Sequence, residues 1–272
     1  MRLRRAPGVS AFTWRALVEL ILVGAVCGVL GVHIVLRRLA YTADMLSHVM
    51  LPGAVVATLA GADLRLGAAA AVAAAGGATV RRATHGKTSQ ATITGVIVSG
   101  SLAVGAVLAS ASDGFRVDLA AALVGSPLTV TASDITVFAA IGLVVLVTLA
   151  VLAKELTFAA FDPVGLRALG CPARWLDALV LILLGAVVVA AVPAVGSMLP
   201  LALLAGPAGA ALLWARRLVP AMVLAALLGA AAGAGGLALS LTYRLATGAT
   251  VALVCGLIFL VACGFAAARR AG

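Results

Sequence analysis

Nine stretches of 18–22 residues, rich in Ala, Leu, Val and Gly and poor in charge, follow one another along this 272-residue chain. They cover about 15–36, 43–60, 63–80, 90–110, 132–152, 175–193, 196–215, 219–239 and 247–268, with 43–60 and 196–215 interrupted by Pro and Gly and read as broken helices. Roughly 20 apolar residues in a helix cross the hydrocarbon core of a bilayer. The chain therefore reads as an all-α polytopic membrane protein with about nine transmembrane helices, eight and ten being the bounds. Only 10% of the residues are charged, and the mean hydropathy is +1.23. Such a chain cannot cover a water-facing surface of its own size. The apolar runs do not alternate with polar positions, which excludes a β-barrel. A further run, 119–128, is too brief to span and reads as re-entrant. The connections are short, so residues 1–272 are expected to form one transmembrane domain.

Orientation follows from the basic residues. Arg37, Arg38, Arg81, Arg82, Lys87, Lys154, Arg167, Arg174, Arg216, Arg217, Arg269 and Arg270 all fall in alternate connections. They share one side if the first span runs outside to inside, and that side is expected to be cytoplasmic. Arg65, Arg116 and Arg244 fall in the opposite connections. Arg2, Arg4 and Arg5 also fall outside, as an interfacial N-terminal segment or a miscounted span would produce. The first 35 residues resemble a secretion signal, but no small-x-small cleavage site precedes Arg37, so the first span is expected to be retained. The net charge of +10 is explained by these loops. No basic stripe interleaved with aromatics occurs, and nucleic acid is excluded as a partner.

Several motifs carry little. The four cysteines form no C-x-x-C pair. Gly86-Lys87-Thr88 imitates the end of a phosphate-binding loop, but Arg81 stands where that loop needs Gly. Neither H-E-x-x-H nor G-x-S-x-G is present, which argues against a membrane protease or hydrolase. Small residues inside the spans, such as Gly24 and Gly28 four apart, read as close helix packing. His33 reads as packed or interfacial, and His85 as solvated.

Charge at membrane depth is costly and usually functional. Eight of the nine acids fall at or near span ends, with Glu19 expected to reach the outer interface. Asp44 differs, because it begins the second span and His48 follows four residues later. Residues so spaced share a helix face. A carboxylate and an imidazole there both suit one divalent cation. Pro52 and Gly53 are expected to break or bend the helix and free backbone carbonyls beside a cavity. The spacing alone leaves three roles open: an Asp–His packing contact, a proton relay of a secondary transporter, or a metal pathway.

The longest inner connection runs from Lys154 to Arg174. Asp162-Pro163 reads as a helix cap followed by Pro at the first helical position, with Gly170 as the stop and Pro172 beyond. A short helix over about 161–170 follows, either a plain amphipathic linker or a docking helix for a cytoplasmic partner.

These segments together resemble the membrane permease subunit of the ABC transporters that import zinc, manganese or iron, the ABC-3 family. The resemblance rests on Arg37-Arg38 through Asp44, His48 and Pro52-Gly53; on Lys154-Glu155-Leu156 through Phe161-Asp162-Pro163 to Leu169-Gly170; on Ala194-Val195-Gly196 through Leu203-Leu204 to Pro207-Ala208; and on Gly248-Ala249-Thr250-Val251. It implies a vitamin B12-importer-like permease fold working as a homodimer, with no permanently bound cofactor. It also implies a separate cytoplasmic ATP-binding subunit and an extracytoplasmic metal-binding protein that delivers the ion. Asp44 and His48 match the family positions regarded as metal ligands. Phe161, Asp162 and Pro163 fall in the helix that couples to the ATPase. The chain departs from the family pattern at Ala43, Pro193, Pro200 and Thr247.

Overall fold

The computed structural model describes residues 7–82, 90–110, 130–162, 165–166, 173–196, 199–215 and 217–271. Among the described residues, nine long helices occupy the nine expected apolar runs. They are α1 (Pro7–Leu36), α2 (Ala40–Leu59), α3 (Leu64–Arg82), α4 (Gln90–Ser110), α5 (Ala132–Val151), α7 (Ala173–Val195), α8 (Leu199–Trp214), α9 (Leu218–Tyr243) and α10 (Thr247–Ala271). A short helix, α6 (Ala153–Phe161), follows α5 and was not foreseen. Among the described residues, four segments are long and apolar enough to cross a membrane on length and composition: Phe12–Leu36, Ala132–Val151, Leu218–Tyr243 and Thr247–Arg269. The run at 119–128 and His85 lie outside the described residues.

Helix α1 is the hub. It packs against α9, α8, α5 and α7, while α2 packs on α3, α4, α8 and α7, and α10 on α8 and α9. In lipid no hydrophobic drive holds helices together, so close backbone approach must supply the attraction. Gly24 and Gly28 provide it, because a Cβ on either would run into the carbonyl of Gly229 or Ala225 on α9. Gly233 meets the Leu20 carbonyl in the same way. Both helices thus present small residues four apart to one another.

Two ion pairs set which helix ends lie together. Arg65, at the start of α3, pairs with Asp134 at the start of α5. Asp134 also closes a capping box with Thr131, accepting the Thr131 backbone N–H at 3.0 Å. Arg37, just past α1, pairs with Asp177 near the start of α7 and donates to the Leu156 carbonyl of α6 at 3.1 Å. Each pair joins groups assigned to one side of the membrane, and the starts of α3 and α5 share an end.

The turn from α1 to α2 is tight. The Leu39 N–H donates to the Ile34 carbonyl (2.9 Å) and the Arg38 N–H to that of Val35 (3.1 Å), with Arg38 at φ +58°. This double-bonded helix stop, with a left-handed residue after the cap, reverses the chain in three residues. It sets Asp44 one turn into α2.

The turn between α9 and α10 is held by hydroxyls. Ser240 Oγ lies 2.8 Å from Thr247 Oγ1, and Thr250 Oγ1 donates to the Gly236 carbonyl at 2.9 Å. Thr247, a departure from the family pattern, therefore contributes a bond that Pro could not make. Pro200 sits in the first turn of α8, where its missing N–H has no helical partner to lose.

Candidate functional site

Three sequence expectations change here. First, α2 is not broken: it runs from Ala40 to Leu59 through Pro52. Gly53 acts instead as a contact point, because a Cβ there would strike the Gly67 carbonyl and Ala71 of α3. Packing on α3 and α4 holds the helix across the proline, and such prolines are tolerated in membranes when neighbours surround them. One consequence survives: Pro52 has no N–H, so the carbonyl four residues back, that of His48, loses its helical donor. Second, α8 likewise continues through Pro207, which is buried. The left-handed residue is Gly196, just before α8, at φ +71°.

Third, Glu19 does not reach the interface. It is fully buried in α1, and neither carboxylate oxygen has a hydrogen-bond partner among the described residues. His33 is buried on the same helix, 1% exposed, with Nε2 unpartnered. Glu19 and His33 fall at helical spacing on one stripe of α1, and Arg37 follows just past its end.

Asp44 and His48 do come together. His48 Nε2 stands 3.6 Å from Asp44 Oδ1 on one face of α2. Two donors bound to one divalent ion at about 2.0–2.2 Å stand roughly 3.0–3.5 Å apart, so the pair needs little movement to grip an ion. The Asp44 side chain is 33% exposed and that of His48 12%, which leaves the carboxylate as the accessible member. His48 Nδ1 is buried and has no partner among the described residues. No group of three His, Cys, Asp or Glu side chains converges among those residues, so any ion here needs further ligands. Backbone carbonyls such as that of His48, water or a second copy of the chain have the right oxygen chemistry.

At the inner connection, Asp162 follows α6 directly. Its Oδ1 accepts the Gly165 N–H at 2.8 Å, and its carbonyl accepts the Leu166 N–H at 3.1 Å. Those two bonds have the spacing of a helix cap. Leu166 is buried against Ala159 and Leu176, whereas Phe161 is 72% exposed. Pro163, Gly170 and Pro172 lie outside the described residues.

A family model described as the ABC 3 transport family matches residues 10–266. The chain belongs to the ABC 3 transport family. Among relatives of this ABC 3 chain, the manganese transport system membrane protein MntC of Halalkalibacterium halodurans is 34% identical over 252 residues, covering 93% of this chain and 86% of that protein. The chelated iron transport system membrane protein YfeD of Yersinia pestis is 30% identical, over 94% of this chain and 86% of its own length. In solved structures, the fold is similar to PsaBC from Streptococcus pneumoniae in complex with Fab. The TM-score there is 0.82 at 29% identity, over 96% of this chain and 92% of the other. This ABC 3 chain is an all-helical, multi-pass membrane protein.

Proposed function

We propose that the chain is the membrane-spanning permease subunit of an ATP-binding-cassette importer for a divalent transition metal, with Asp44 and His48 as the side-chain ligands of the travelling ion. The observation that carries this is the 3.6 Å approach of an imidazole nitrogen to a carboxylate oxygen on a membrane helix of an ABC 3 chain. A transport site must bind its ion and release it. Two side-chain ligands suit that better than a closed four-ligand shell. The unpartnered Nδ1 of His48 fits the same purpose, since fixed structural ligands are held by a second hydrogen bond. A carboxylate with an imidazole suits manganese, iron(II) or zinc and disfavours copper(I), which prefers sulfur. The manganese and iron systems named for the relatives favour manganese or iron among these.

The working assembly contains a second copy of the chain, a separate ATP-binding subunit and an extracytoplasmic metal-binding protein. The chain is one transmembrane domain, and its segment over about 161–170, which opens on the last residue of α6, couples it to the ATP-binding subunit through Phe161, Asp162 and Pro163. The Asp162 cap and the exposed Phe161 beside it support that role.

Reconstitution tests the reading. In proteoliposomes, manganese uptake is expected only when the ATP-binding subunit and ATP are both present. Uptake by the chain alone, driven by a pH gradient, would overturn it in favour of the proton-relay reading. A second expectation concerns coupling. Asp162→Ala removes a helix cap contributing about 1 kcal/mol. It is expected to lower co-purification of the ATP-binding subunit several-fold while manganese binding to the chain is unchanged. Equal co-purification would remove the coupling role.

A further inference from the structure

Helix α6 has two unlike faces. Leu156 and Ala159 are buried against the bundle, while Lys154, Phe158 and Phe161 point away from it at helical spacing. That outer face forms one wall of a groove of about 740 Å³, whose other wall is Arg217 and the first turn of α9. Neither Lys154 nor Arg217 has a carboxylate partner among the described residues, and no acidic side chain lines the groove.

From this groove two apolar rows rise along the membrane helices. Val219, Val223 and Leu227 are exposed one turn apart on α9. Val151, Val147 and Val144 are exposed on α5, which ends where α6 begins. Two cations therefore stand at the foot of an exposed apolar track, on the side the basic residues mark as cytoplasmic. An amphiphile with a negative head and acyl tails matches both parts at once.

We propose that this groove is a binding site for an anionic phospholipid, its phosphate held between Lys154 and Arg217 and its acyl chains laid along α5 and α9. Basic pockets between membrane helices on the cytoplasmic side recognise such headgroups. The site is independent of which ion the chain carries.

The test uses the full-length chain, purified in mild detergent, stripped of lipid and exposed to vesicles of equal phosphatidylglycerol and phosphatidylcholine. Retained lipid is then measured by native mass spectrometry. Phosphatidylglycerol is expected to be retained in preference. The double variant Lys154→Gln/Arg217→Gln is expected to lower that preference by about tenfold, with phosphatidylcholine retention and thermal denaturation unchanged. Equal retention of the two lipids by the unmodified chain would overturn the proposal, as would an unaltered preference in the double variant. Displacement of phosphatidylglycerol by an equal concentration of soluble glycerol phosphate would reduce the groove to a free-anion site. A double variant that keeps its lipid but loses the ATP-binding subunit would assign the groove to that subunit instead.

Discussion

Replacing Asp44 by Asn is expected to lower metal uptake by at least about 100-fold. The amide keeps the size of the carboxylate and a carbonyl oxygen, so the loss isolates the negative charge of the ligand. His48→Ala is expected to match it, because one remaining side chain cannot hold a dehydrated divalent ion at this depth. The two residues act as one unit, so the double variant should be no worse than either single one. Abundance in the membrane and thermal denaturation should stay near the unmodified values. The Asp44 side chain is one-third exposed, and its ion-pair partner is His48 on its own helix. Uptake assays with radioactive manganese, alongside quantified protein, check all three variants. Normal uptake by both single variants would reduce the pair to a packing contact.

The second large effect is structural and lies where α1 crosses α9. Gly24→Ala adds a methyl group directly against the Gly229 carbonyl, and backbone cannot move aside as a side chain can. The helices must separate, and overpacking of this kind costs about 1–3 kcal/mol. Gly24→Leu is expected to leave little folded protein after detergent extraction. The comparison that gives this prediction its force is Gly256 on α10, which has open space around its missing Cβ. There Gly256→Ala should gain about 0.5–1 kcal/mol of helix preference and raise the denaturation temperature. The same chemical change thus has opposite signs at two positions. A Gly24→Ala protein as heat-stable as the Gly256→Ala protein would mean that the close crossing does not hold the bundle.

Much of the architecture was legible because membrane spans obey a one-dimensional rule. Each needs an apolar run of fixed length, and the charges between the runs declare their side. Nine runs were read and nine long helices stand at those positions among the described residues. The two bonds that Asp162 accepts were legible for a related reason: they join residues three and four apart. The same locality placed Asp44 and His48 on one face.

What failed to read out depended on neighbours distant in sequence. Pro52 and Gly53 carry the local signature of a break, yet α2 continues, because α3 and α4 pack around it and Gly53 is where α3 passes. Glu19 looked like a residue with access to the interface, and it lies wholly inside the bundle. The pairings of Arg37 with Asp177 and Arg65 with Asp134 span 140 and 69 residues, beyond any local pattern.

The sequence by itself determined the solvent and the class of this chain, along with the helix face that carries the acid and the histidine. Those properties follow from composition and spacing within single segments. Only the tertiary structure decided that the proline-containing helix stays whole, that one acid of α1 is sealed in the core, and that two cations meet at the foot of an apolar track. Each of these depends on which helices lie side by side, and in lipid that choice rests on how closely backbones fit. Close fit is a property of pairs of surfaces, and no single run of residues contains it.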